Sequence, residues 1–250
     1  MKTKIFKICV VSAVLLSSAA VFAVDYRNVL WDDFFVLRDG VYNNAVDEQD
    51  LAILYEKAVD SANKNFSKDQ LSVALSRCDY MIGRFYSYAG NKEEAEKCFD
   101  SGAQLAQKAM KEKASSVAAL MYSENISQNC SIKNFSYVLK NGRKVGSFAQ
   151  KALEMDPVCG AAMYILYAQY IYAPSPFNNL DKGISEMKAV LANPDVVLQK
   201  DDVFNLESSI GYAYIQLDNT AEAKTWLDKA LEIYPENLYV KSLLSDLGRK

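Results

Sequence analysis

Two stretches of this chain copy each other 128 residues apart. Ile82, Gly83, Tyr86, Ala95 and Phe99 each precede Ile210, Gly211, Tyr214, Ala223 and Leu227 by that interval, as Asn91 and Glu94 precede Asn219 and Glu222. Agreement in residue type and spacing at so many positions is the mark of a repeated supersecondary unit. Within residues 204–237 the apolar positions recur three and four apart, which is the spacing of one helical face. Asp218-Asn219 separates two such stripes, and Pro235 ends the second. Small residues carry the packing information. Glycine inside a helix costs roughly 1 kcal/mol relative to alanine. Gly83 and Gly211 are therefore expected where two helices cross too closely for a side chain to fit between them. Ala223 and Ala230 do the same on the second helix, and Gly102 stands where Ala230 stands in the other copy.

This unit resembles the tetratricopeptide repeat, a helix–turn–helix of about 34 residues. The resemblance is clearest over residues 76–109 and 204–237. It is fainter over two degenerate units, 126–157 and 160–194; in the first of these KALEMDP at 151–157 copies KALEIYP at 229–235. It implies an all-α protein, an α-solenoid or right-handed superhelix of about four helix pairs, in one domain over residues 24–250. Residues 114–129 read as an inserted helix with Val117, Leu120, Met121 and Ile126 inward. The helix beginning near Lys92 is expected to run on to about Lys111. Residues 26–43, dense in aromatics, read as an amphipathic helix docked on the helices after it. Together with a helix over 47–64, capped by Asp47, they form a degenerate first pair. Residues 238–247 read as a capping helix over the end of the stack.

Residues 1–23 are of another kind. Lys2, Lys4 and Lys7 precede an apolar run from Ile8 to Leu16 and a small-residue site at Val21-Phe22-Ala23, the order of a cleavable secretory signal peptide. The run is shorter than the roughly 20 residues that a membrane span needs, and no later segment is apolar enough to span. Loss of the leader takes the basic residues from 28 to 25 against 31 acidic ones, a net charge of −6. Such a balance disfavours binding to nucleic acid or to an anionic membrane. The expected location is the periplasm. Cys78, Cys98, Cys130 and Cys159 permit two disulfides in an exported chain, and buried free thiols explain them as well. With no histidine, the chain lacks a Ser-His or Cys-His nucleophile system, and no cysteine pair has the spacing of a zinc site. A non-enzymatic protein without cofactor or metal is expected. Four Asn-x-Ser triplets begin at Asn65, Asn125, Asn129 and Asn134, three of them within expected helix, and are read as chance.

In a repeat array of this kind the first helices line the concave side. There the face opposite Ile82, Gly83 and Tyr86 carries Arg77, Tyr80, Arg84 and Tyr88. Asn134 and Tyr137, Tyr164 and Ile171, and Asn205, Ser208 and Tyr212 are assigned as their counterparts on later first helices. Paired arginines suit a carboxylate or peptide backbone, and tyrosines supply rigid contact area. The competing reading pairs the arginines with Asp79 or Glu94 and puts the tyrosines in the core. A second candidate is the loop of residues 173–179, stiffened by Pro174 and Pro176. An exported helical-repeat protein with a Pro-x-Pro-Phe loop before a lysine-bearing helix is similar to the T-component proteins of TRAP transporters. That similarity implies partnership with a periplasmic solute-binding protein. The present chain differs in lacking a lipid-attachment cysteine and in having Asn178-Asn179 where a glycine pair is familiar. The function expected is presentation of a groove to a protein partner or a small organic ligand, with an envelope scaffold as the alternative and self-association left open.

Overall fold

The computed structural model describes residues 24, 25 and 27–249; the expected signal peptide lies outside them. They form eleven helices: α1 (Asp32–Tyr42), α2 (Glu48–Asn65), α3 (Lys68–Tyr88), α4 (Lys92–Glu112), α5 (Ser116–Ile132), α6 (Phe135–Met155), α7 (Gly160–Tyr172), α8 (Leu180–Ala192), α9 (Lys200–Gln216), α10 (Thr220–Ile233) and α11 (Leu238–Leu247). No strand occurs among the described residues, only isolated bridges between Asp25 and Leu30 and between Cys159 and Val197. No described helix is long and apolar enough to cross a membrane. Consecutive helices pack as antiparallel pairs, α3 on α4, α5 on α6, α7 on α8 and α9 on α10. The odd-numbered helices from α3 to α9 also touch one another in succession as an inner layer.

The second helix of each of these four pairs begins in the same way. Asn91, Asn134, Asn179 and Asn219 accept the backbone N–H of the residue three positions on, at 3.3, 3.1, 3.1 and 3.3 Å. That bond satisfies one of the amides a helix start leaves unpaired. In the two matching units the residue before the cap is left-handed, Gly90 at φ 76° and Asp218 at φ 53°. The turn was thus copied along with the helices.

The glycines sit where the spacing predicts. A methyl group added at Gly83 would come within 2.5 Å of the Phe99 ring, and one at Gly211 within 2.7 Å of Leu227. Phe99 and Leu227 are themselves matching positions 128 residues apart. In the pair formed by α7 and α8 the roles are exchanged, because Gly183 lies on the second helix and meets Ile171 of the first at 2.7 Å.

The pair formed by α5 and α6 departs from expectation. Residues 114–129 are not an insertion: α5 is the first helix of the pair, and α6 runs unbroken through the stretch expected to hold two helices. The hydrogen bonds fix the register. Ser76 Oγ donates to the carbonyl of Gly102 at 2.7 Å, and Ser116 Oγ to that of Ala152 at 2.9 Å. Gly102 and Ala152 both correspond to Ala230, so Ser116 corresponds to Ser76 and Ser123 to Gly83. Ser123 is wholly buried and donates to the Val145 carbonyl at 2.7 Å. A small hydroxyl residue therefore fills the close-approach position, its one polar group satisfied across the pair.

Cys78, Cys98, Cys130 and Cys159 are free thiols, and burial pushes the Cys98 thiol up to about 11. The packing of Gly83 gives a direct test. Gly83→Ala gains helix propensity but overpacks against Phe99, and is expected to destabilise the protein by roughly 1–3 kcal/mol in urea denaturation. A gain in stability would show that the crossing is looser than described.

Candidate functional site

The inner face is not an open groove. α1 lies across it from α3 to α9, and its side chains occupy the positions expected to receive a partner. Trp31, Phe34, Leu37 and Tyr42 are almost fully buried, as the aromatic density of the segment requires. Phe34 carries the Arg77 guanidinium 5.7 Å from its ring centroid. The Tyr42 ring stacks on Tyr234 at 5.2 Å and meets Phe204 edge-on at 5.5 Å, and the Arg84 guanidinium lies 5.2 Å from its centroid. Asn205 donates to the Tyr42 hydroxyl at 3.0 Å.

Charge fixes the same docking. Arg38, only 5% exposed, pairs with Asp39 at 2.9 Å and with Asp201, at the start of α9, at 3.0 Å. Asp39 also accepts from Tyr234 at 2.8 Å and Lys200 at 3.0 Å. Farther on, Asn237 donates to the Tyr42 carbonyl at 2.6 Å, and Asn43 and Asn44 accept the backbone amides of Glu236 and Leu238. Breaking a buried pair by deleting one partner costs about 3–5 kcal/mol, so these contacts are structural.

Of the residues singled out in the sequence, Arg77, Tyr80, Arg84, Tyr88, Tyr164, Asn205 and Tyr212 do face inward. Arg84 donates to the Tyr80 hydroxyl at 3.4 Å and to that of Tyr88. Ser209 joins Tyr164, at 3.4 Å, to Tyr172, at 2.9 Å, and Tyr172 stacks on Tyr212. Neither arginine pairs with Asp79 or Glu94. Asp79 accepts from Tyr55 and Ser101, and Glu94 from Lys97.

Asn134 and Tyr137 do not belong with the rest. They open α6, a second helix, where Asn134 caps the helix and Tyr137 packs under the Lys133 ammonium at 4.7 Å. The 173–179 loop is held by Phe177 N–H on the Pro174 carbonyl and Asn179 N–H on that of Tyr170. Its Phe177 is 78% exposed.

Between α1 and the inner layer lies a cavity of about 490 Å³, within the usual range for small-molecule sites. Its walls include the beginnings of α5, α7 and α9, the segment before α1, and α3. Phe34, Met81, Leu120 and Met121 supply its apolar lining, and Arg27, Arg77, Glu124, Asp156, Asp201 and Asp202 its charged lining.

Glu124 is the residue that sequence reasoning missed. In the corrected register it stands on α5 where Arg84 stands on α3. Among the described residues it makes no hydrogen bond and no ion pair within 4.0 Å. Burial pushes its carboxyl up to about 7, with Arg77 opposing and Asp201 adding to the shift. Burial, reinforced by Asp201 and Glu124, also raises Asp202 well above the ordinary carboxylate range; the Gln199 backbone N–H, at 2.8 Å, opposes. Arg77 Nη2 donates to the Asn28 carbonyl at 3.2 Å, but its buried Nε has no acceptor among the described residues. Opposite charges therefore face one cavity without meeting.

Residues 80–120 and 209–237 match the model of the tetratricopeptide repeat family. These segments cover the two units whose glycines, caps and turns agree. Among solved structures, a thermophilic TPR protein of Thermus thermophilus superimposes with a TM-score of 0.54 at 16% identity, over 88% of this chain and 100% of that one. At that identity the likeness concerns fold, and the fold is an α-solenoid. No curated protein matches the chain.

The titration of Glu124 has a definite sign. Its pKa is higher folded than the ordinary 4.5. The native state thus holds this proton more tightly, and the stabilisation is complete below 4.5 and lost as pH rises toward about 7. Glu124→Gln keeps the shape of the protonated form. Its unfolding free energy is expected to equal that of the parent at pH 4 and to exceed it by roughly 2–3 kcal/mol at pH 8. Equal stability at both pH values would place Glu124 in open solvent.

Proposed function

We propose that this is an exported, non-enzymatic interaction protein that seats a small organic ligand, or a group projecting from a protein partner, in the cavity beneath α1. The observation that carries this reading is the cavity itself, lined by apolar residues and by Arg77 and Glu124, which no ion pair joins. Cores seldom retain unpaired charge, because each such group costs several kcal/mol to bury. Charged groups left unmatched around a cavity are matched when something enters it. The tetratricopeptide repeat match supports an interaction role, since such arrays work as binding surfaces.

Export rests on residues 1–23. The transporter-accessory form of this reading, with a solute-binding protein as partner, rests on the proline loop and its exposed Phe177.

Two measurements test the proposal. A thermal-shift screen of small polar metabolites is expected to yield compounds that raise the Tm of the parent by several degrees and shift Leu120→Trp, whose indole intrudes on the cavity, much less. Equal shifts in both would place binding elsewhere, and no shift with any compound would remove the cavity from function. After expression with its leader, the chain is expected in the periplasm, shortened by cleavage after Ala23; retention of the full mass would overturn export.

A further inference from the structure

The cavity also indicates the chemistry of its occupant, given that it is the binding site. Arg77 and Glu124 both line it, one a cation and one a carboxylate, with Arg27 beside them; Glu124 makes no hydrogen bond or ion pair among the described residues. Arg77 and Glu124 interact through space, since Arg77 favours the ionised form of Glu124, yet no ion pair within 4.0 Å joins them. A group carrying only negative charge would satisfy Arg77 and be repelled by Glu124, Asp201 and Asp202. A simple cation would satisfy Glu124 and be repelled by Arg77 and Arg27.

One kind of molecule meets both demands over a short distance. We propose that the cavity binds the zwitterion of an α-amino acid, its carboxylate on Arg77 and its ammonium on Glu124.

The surroundings agree with that orientation. α5, α7 and α9 all begin at the cavity wall, at Ser116, Gly160 and Lys200. The unpaired amides of helix starts favour a carboxylate. Glu124 lies eight residues into α5, about 12 Å along the axis at 1.5 Å per residue, where that field has faded and an ammonium is welcome. Phe34, Met81, Leu120 and Met121 also line the cavity and give an apolar side chain on the amino acid a surface to pack against. The volume of about 490 Å³ admits a side chain as large as that of leucine, methionine or phenylalanine.

Isothermal titration of the full chain with L-leucine, L-methionine and L-phenylalanine tests the proposal against two probes of single charge. These are leucinamide, which keeps only the ammonium, and 4-methylpentanoate, which keeps only the carboxylate. At least one amino acid is expected to bind, with leucinamide and 4-methylpentanoate each at least tenfold weaker than leucine. Glu124→Gln, which breaks no bond within the protein, is expected to weaken amino-acid binding at least tenfold while leaving helical content and urea midpoint at pH 4 unchanged. Leucinamide binding as tightly as leucine would overturn the zwitterion while leaving the cavity as a binding site. Unchanged amino-acid affinity in Glu124→Gln would overturn the assignment of the ammonium. Silence of all five probes in a protein that still gives cavity-dependent thermal shifts with other compounds would overturn the amino acid alone. Silence in both experiments would overturn the cavity reading with it.

Discussion

One ring holds the two ends of this chain together. Tyr42, from the first helix, clusters with Tyr234 and Phe204, which belong to the last pair, and all three are essentially inaccessible to solvent. A buried aromatic of this size removes about 150–250 Å² from water, on the order of 4–6 kcal/mol at 25 cal/mol per Å². A linear solenoid has contacts only between neighbouring units, so its ends fray independently of each other. Here Tyr42, with the Arg38–Asp201 pair and the asparagine bonds beside it, joins units separated by more than 160 residues of sequence. The array becomes a closed body in which loss of the first helix exposes the last.

Closure also makes the site. Without α1, Arg77, Tyr80 and Glu124 would face an open concavity, where water hydrates unpaired charge and little is gained by matching it. With α1 in place, Glu124 and Arg77 line a partly covered cavity, and the lower polarisability there raises the cost of leaving either unmatched. The fold thus converts an interaction surface into a chamber, and the chamber gives its charged groups their selectivity. Arg84, by contrast, is fully engaged by Tyr42, Tyr80 and Tyr88, and serves the docking of α1 more than any ligand.

Much of this is legible in the sequence, and the failures have physical causes. Gly83 and Gly211 announce their own packing because only a missing side chain fits beside Phe99 and Leu227. Asn91 and Asn219 announce the turns. The pair formed by α5 and α6 stays hidden because Ser123 takes the place of glycine by sending its hydroxyl to a carbonyl of the opposite helix, a solution that residue type alone does not reveal. With that register lost, Asn134 reads as a groove residue when it is a helix cap, and Glu124 goes unnoticed. The same offset that relates Ser116 to Ser76 finds it. The docking of α1 over the concave side is signalled by six apolar residues within eight, Leu30, Trp31, Phe34, Phe35, Val36 and Leu37, but their destination depends on contacts across the whole chain.

Native-state amide hydrogen exchange tests closure most directly, because it reads the stability of each helix in the unaltered protein. If α1 locks the array, its amides from Phe35 to Tyr42 exchange as slowly as those in the middle of α3 and α9, and all three open together as denaturant is added. Exchange in α1 as fast as in an exposed chain end, while α3 and α9 stay protected, would mean that the array stands open and that the chamber does not persist.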